Sequence, residues 1–243
     1  MSVFEATTTA GDSTVVDESA AAHLKASLQG DLLLPGDAPY DETRKVWNGL
    51  IDHRPALIAR CARVTDVVAA ITFARQHDLL VSVRGGGHNI AGKAVCNGGL
   101  MIDLSGMRRI AVDPVKRTAR VEGGAKLGDL DAATQRHGLA TTAGVVTHTG
   151  VGGLTLGGGV GRLARKHGLA CDNLLAVEVV TADAQVLRAS STDHADLFWA
   201  LRGAGANFGV ATAFDFQLHP VGPAVLAGVV VHPLERAGAA LRF

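Results

Sequence analysis

Over the first fifty positions apolar residues are scattered and weakly periodic. Residues 1–16, "MSVFEATTTAGDSTVV", read as a mobile tail. Residues 17–29 carry helical spacing, and "DLLLPGDAPYDETRKVWN" (31–48) reads as irregular. The pattern then sharpens. "ALIARC" (56–61) is an apolar run of strand length, and "VTDVVAAITFARQHD" (64–78) repeats apolar residues at helical intervals, with Thr65 or Asp66 near its start. "LLVSV" (79–83) is the next strand. That strand–helix–strand order predicts an α/β unit whose second strand delivers a glycine-rich stretch at its carboxyl end, where open sheets usually bind ligands.

Further strands are predicted at "GLMIDLS" (99–105), "RIAVDP" (109–114) and "TARVEGG" (118–124), the last two joined by the hairpin signal "DPVKRT". "LGDLDAATQRHG" (127–138) reads as a helix closed by Gly138 at C′. A strand pair at 174–190 turns around Ala182, Asp183 and Ala184; a helix follows at 193–203 and a strand at 210–218. No internal repeat or low-complexity linker interrupts the order.

Composition narrows the class. A chain of 243 residues, 47% apolar, can bury one large or two small cores. Its 23 basic and 23 acidic residues cancel without a like-charged block, so neither a nucleic-acid nor an anionic-membrane partner is expected. The amino terminus has no basic and apolar signal regions, and no run nears 18 apolar residues; this predicts no secretion signal, no membrane span and a cytoplasmic location. Cys61, Cys96 and Cys171 are odd in number and far apart, so they read as small buried side chains, and no metal site is expected.

Glycine changes the picture. There are 30, well above the usual share of about 7%, and they cluster. "VRGGGHNIAG" (83–92) follows a strand as phosphate-cradling turns do. It is not a P-loop, because Ala94 stands where a hydroxyl must reach magnesium, nor a dinucleotide GxGxxG, which fails at Ile90 from Gly85, at Thr155 from Gly150 and at Phe208 from Gly203. The second cluster, "TGVGGLTLGGGVGRL" (149–163), has GxxxG spacing but lies in no apolar 20-mer. It holds more glycine than an ordinary helix tolerates, at about 1 kcal/mol each relative to alanine, which suggests a large flat ligand against the backbone.

Six segments, "VRGGGHNIAG", "GGLMIDLSGM", "GVVTHTGVGGLTLGGGVGRLARKHGLACDNL", "VEVVTADAQVLRAS", "DLFWALRGAGANFGV" and "FQLHPVG", occur in that order within residues 56 to 222. Together they closely resemble the FAD-binding domain of the vanillyl-alcohol-oxidase type, in its berberine-bridge-enzyme-like branch of FAD-linked oxidoreductases. The resemblance implies an α+β, two-subdomain FAD-binding fold of the PCMH type. Residues 1–30 then form a flexible tail and leading helix, 31–222 the FAD-binding domain, and 223–243 the first strand and helix of a largely missing substrate domain.

It also implies the site. The loop Arg84, Gly85, Gly86, Gly87, His88 and Asn89 wraps the FAD pyrophosphate with backbone amides, and His88 is bonded through its ring to the flavin 8α-methyl. Gly144, Thr149, Gly150, Gly152, Gly153, Gly157 and Gly158 belong to the second stretch, with Gly150, Gly152 and Gly153 lining the isoalloxazine. Val180, Gly209 and Val210 lie toward the adenosine half. Some members carry a second, cysteine tether four residues before the first glycine of the GVGG segment; here that place is Val146, so attachment through His88 alone is expected. His148, just before the flavin-facing glycines, is left open, and the histidines at 53, 77, 137, 167, 194, 219 and 232 read as surface or structural.

The implied activity is hydride transfer from an alcohol, sugar or amine carbon of a small-molecule substrate to the flavin, with reoxidation by molecular oxygen or another acceptor. Family members are about twice as long, and their substrate walls and base come largely from the other half, so no catalytic base is named. The chain then reads as an amino-terminal fragment of an oxidoreductase that is inactive by itself. The alternative is a non-catalytic flavin-binding module from a truncated or degenerate gene.

Overall fold

The computed structural model describes residues 3–205, 207–226 and 228–242. Among the described residues a four-stranded and a five-stranded sheet, each packed on its own apolar cluster, dominate the fold. Ahead of them, β1 (Val3–Thr7) and β2 (Ser13–Asp17) pair as an antiparallel hairpin, which corrects the expectation of a mobile tail. Ala6 and Val16 are buried, the Thr7 N–H donates to the Gly98 carbonyl at 2.8 Å, and the Leu80 N–H donates to the Thr7 carbonyl at 2.8 Å. A polar, threonine-rich sequence hides such a ribbon because few of its side chains enter the core.

Helix α1 (Glu18–Ser27) starts on Asp17, whose carboxylate accepts the Ser19 N–H at 2.7 Å. The stretch read as irregular contains β3 (Asp31–Leu33) and a single turn, α2 (Tyr40–Thr43), whose Tyr40 is buried with its hydroxyl donating to the Pro55 carbonyl. Then come β4 (Leu57–Arg60), α3 (Val64–Gln76), β5 (Val81–Arg84) and β6 (Leu100–Asp103), forming a sheet in the order β3-β4-β6-β5. β6 runs parallel to both β4 and β5, so the predicted strand–helix–strand unit is present with β6 inserted between its strands.

Asp66, buried near the start of α3, ties this unit to its surroundings. Burial pushes its pKa up, but the N–H groups of Ala62, Gln29 and Gly30, together with Arg63, hold it net below the ordinary carboxylate value.

The second sheet comprises β7 (Ile110–Asp113), β8 (Thr118–Glu122), β10 (Leu174–Val180), β11 (Val186–Ser190) and β12 (Val210–Gln217). It is antiparallel throughout, in the order β11-β10-β12-β8-β7. α4 (Leu127–Gln135), β9 (Leu139–Ala140), α5 (Val151–Leu156) and α6 (Ala164–His167) lie between β8 and β10, while α7 (Ala195–Leu201) precedes β12 and β13 (His219–Pro220) pairs with β9. α4 ends at Gln135, short of Gly138, which takes a left-handed φ of 64° in the following turn. Val180 and Val210 pair across β10 and β12 yet pack in the core of the first sheet, joining the two halves.

α8 (Ala237–Arg242) supplies the helix expected near the carboxyl end, but the expected strand is absent among the described residues. Val229, Val230 and Val231 are exposed and unpaired, because a strand forms only where a neighbour takes its backbone hydrogen bonds. Cys61, Cys96 and Cys171 are free and buried, as expected. No described helix is long and apolar enough to cross a membrane.

Candidate functional site

β5 runs through Arg84 directly into Gly85, Gly86 and Gly87, so the glycine loop leaves the carboxyl end of a parallel strand as the pattern predicts. Opposite it lies the turn entering α5. A Cβ on Gly86 would sit 2.2 Å from the Gly150 nitrogen, and one on Gly150 would sit 2.4 Å from the Gly86 nitrogen. The two glycine clusters therefore touch backbone to backbone, and glycine is required there by the protein's own packing. Gly152 obeys the same logic, since a Cβ would press on the Gly123 carbonyl and the Phe214 ring at 3.2 and 3.3 Å. The glycine content that argued against a helix is thus accommodated in a short one. Gly153 differs, because it faces open space with nothing within 4 Å of its would-be Cβ.

His88 projects at the junction of the two loops. Its Nε2 lies 2.8 Å from Nδ1 of His148, its Nδ1 lies 3.5 Å from Oγ1 of Thr149, and its ring stacks on Trp47 at 5.5 Å between centroids and 21° between planes. The Trp47 backbone N–H donates to the Gly87 carbonyl at 2.9 Å, tying this segment's backbone to the loop. Partial burial, then the His148 ring and the Lys126 ammonium, lower the His88 pKa and favour the neutral imidazole. Neither Trp47 nor Lys126 is marked by a motif. Trp47 lies in the stretch read as irregular, and its partner is forty-one residues away in sequence.

Arg84 is committed elsewhere. Its Nη1 pairs with the fully buried Asp103 on the neighbouring strand at 3.2 Å, Ser105 Oγ donates to the same carboxylate at 2.7 Å, and Arg84 Nε is buried without a partner. Asn89 closes the loop by accepting the Lys93 N–H at 3.0 Å.

Of the residues singled out in the sequence, Arg84 through Asn89 and Thr149 through Gly153 come together here. Gly144 packs behind them against Leu127 and Leu154. Gly157 and Gly158 follow the end of α5, Gly158 with φ 104°. Val180, Gly209 and Val210 form a second group at the ends of β10 and β12, where Gly209 has φ 134° and a Cβ would sit 2.4 Å from the Val180 carbonyl. Both valine side chains are in the core, so only their backbone is free to meet a ligand.

The donor set suits a flat, anionic cofactor. Backbone N–H groups of two facing glycine loops, the open surface at Gly153 and an imidazole whose pKa is lowered meet here, and the buried hydroxyls of Thr141 and Thr142, shortly ahead of Gly144 in the chain, have no partner. A hollow of about 400 Å³ elsewhere, on the five-stranded sheet, is lined by Arg120, Arg188 and Asp215, whose charges are satisfied by one another and by Glu178.

Residues 55–190 match the model of a family described as FAD binding domain. This chain belongs to that family. It is a member of the berberine-bridge-enzyme-like FAD-linked oxidoreductases, with the PCMH-type fold. (R)-6-Hydroxynicotine oxidase of Paenarthrobacter nicotinovorans is 42% identical over 204 residues, covering 84% of this chain and 44% of the relative. The solved BBE-like 1 of Physcomitrella patens is 30% identical, with a TM-score of 0.78 over 82% of this chain and 44% of that one. Glucooligosaccharide oxidase of Acremonium strictum, described with a 6-S-cysteinyl, 8α-N1-histidyl FAD, is 34% identical with a TM-score of 0.78, covering 82% of this chain and 42% of its own. This FAD-binding chain spans somewhat under half the length of the relatives it matches.

Proposed function

We propose that residues 31–222 hold FAD covalently through His88 as part of an oxidoreductase that takes a hydride from an alcohol, sugar or amine carbon of a small molecule. The observation carrying this reading is the junction itself: the His88 imidazole, stacked on Trp47, stands where two backbone-exposing glycine loops meet. Backbone amides of Gly85, Gly86, Gly87 and His88 bind the pyrophosphate, and the open face of Gly153 accepts the ring system. Thr141 and Thr142 offer hydroxyls to the same ligand, while Val180, Gly209 and Val210 present backbone toward the adenosine half. Flavin bound there supplies hydride acceptance, and molecular oxygen or another acceptor restores it.

With valine rather than cysteine at 146, attachment is through one residue. Acid precipitation followed by proteolysis tests this: one flavin-bearing peptide, containing His88, is the expected product. Flavin recovered on a cysteine peptide, or released entirely by acid, overturns it. Substrate oxidation is a property of the whole enzyme, and the relatives named as oxidases of hydroxynicotine and of glucooligosaccharide support the amine and sugar alternatives.

A further inference from the structure

We propose that Trp47 is a positioning residue for His88: a strap of chain, residues 46–54, is laced along residues 87–97 and sets the indole on one face of the imidazole, holding that ring in one orientation toward the flavin. The proposal rests on the tether reading above and goes beyond it by naming what orients the ring.

The sequence around His88 does little to fix it. Gly85, Gly86 and Gly87 carry no side chains to confine its rotamers, and the outer torsion of a histidine is broad. Its two polar contacts, to His148 at 2.8 Å and to Thr149 at 3.5 Å, lie at the ring edge and both come from the second glycine stretch. The stacked indole, 5.5 Å between centroids and 21° between planes, supplies the contact to a ring face.

The strap is placed by groups other than the indole. Arg44 closes its base, donating to the Asp52 carboxylate and, at 3.2 Å, to the His53 carbonyl. Asn48 accepts the Leu50 N–H at 3.1 Å, which turns the chain, and donates from Nδ2 to the Ile90 carbonyl at 2.8 Å. The Ile51 side chain lies 2.9 Å from where a Cβ on Gly92 would stand, and the Arg54 N–H donates to Asn97 Oδ1 at 2.7 Å. With the Trp47 backbone N–H on the Gly87 carbonyl, these contacts hold residues 47–54 against residues 87–97. Val46 and Ile51 pack against the apolar cluster around Tyr40, whereas Trp47 is 58% exposed. The indole therefore adds little to the core, and its ring contact is with the histidine. An aromatic pair favours its contact by about 2- to 10-fold, which sets the size of the expected effect.

In the test the full chain is prepared without flavin and then mixed with FAD in air. Before FAD is added, NMR of the wild type should show the His88 ring protons shifted upfield by the indole; Trp47→Phe should keep part of that shift and Trp47→Leu should lose it. Once FAD is present, acid-stable flavin should accumulate about 2- to 10-fold more slowly in Trp47→Leu, at an unchanged thermal midpoint, while Trp47→Phe recovers most of the wild-type rate. Leucine and phenylalanine are both apolar, so a merely structural role would not separate them. Accumulation at the wild-type rate in Trp47→Leu, equal slowing in both variants, or unshifted His88 protons in wild type overturns the proposal while leaving the tether intact. Unfolding of Trp47→Leu overturns it as well, because the indole would then be holding the fold and not the ring. FAD that stays dissociable in wild type removes the tether reading, and the proposal with it.

Discussion

Two pairs of imidazoles meet among the described residues. His88 and His148 meet edge to edge through ring nitrogens, whereas His167 and His219 lie face to face, 3.9 Å between centroids and 13° between planes. Burial is the leading cause of a lowered pKa at both His88 and His219. Their surroundings part there. His219 Nε2 is held by Asn173 Oδ1 at 2.6 Å, and the Asn173 amide donates in turn to the carbonyls of His167 and Leu169, so the stacked pair fastens α6 to β13. At the glycine loops, His88 keeps one ring nitrogen with only a long contact to Thr149. A histidine's chemistry here follows from which nitrogen its neighbours leave unused.

The largest effect expected from that contrast is all or none. His88→Ala should abolish acid-stable flavin fluorescence on a denaturing gel while moving stability little, because a substitution at this half-open site removes no core packing. A fluorescent band from the variant would break the comparison. Gly86→Ala should come next, destabilising by about 1–3 kcal/mol as its Cβ is forced onto Gly150, a contact 2.2 Å from backbone nitrogen. Denaturant unfolding of the variant would show a lower midpoint; an unchanged one would mean the loops part freely.

His219→Ala should be the mirror of His88→Ala, lowering stability by about 1–2 kcal/mol through the loss of one hydrogen bond and a ring contact, with acid-stable flavin unchanged. Loss of tethered flavin in this variant would erase the distinction between the pairs.

Acid sharpens the contrast further. A histidine whose folded pKa is lowered binds protons more readily in the unfolded chain, so its contribution is present above the ordinary imidazole value of 6.5 and is lost as pH falls through the depressed native value. His219→Ala should therefore show a shallower fall in stability below that value than wild type. Smallest is Gly153→Ala. With open space around it, alanine should stabilise the flavin-free chain by up to about 1 kcal/mol through helix propensity, yet weaken FAD binding if the ring system lies on that face. Tighter binding would move the flavin elsewhere.

Periodicity made β4, α3 and β5 legible because each is a local apolar pattern continuous along the chain, fully buried in β4 at Leu57, Ile58 and Ala59. The same reasoning could not see β1 and β2, whose stability comes from Gly98 and Leu80 far along the sequence, nor the absence of a strand at Val229–Val231, whose apolar residues have no pairing neighbour among those described. The glycine stretches identified the family and located His88, since a motif is carried by residue order.

Sequence alone, then, determined the class of fold, the cofactor family and the residue at the end of the glycine loop, because these depend on local pattern and on ordered motifs. Tertiary structure alone decided that Gly86 and Gly150 are required by each other, that Arg84 answers to Asp103, and that Trp47 and His148 frame His88. Those contacts join residues 19 to 64 positions apart in the chain. Strand pairing within the first sheet brings Arg84 to Asp103 and the meeting of the two glycine loops brings the others together, and no periodicity along one strand or helix encodes such a distance.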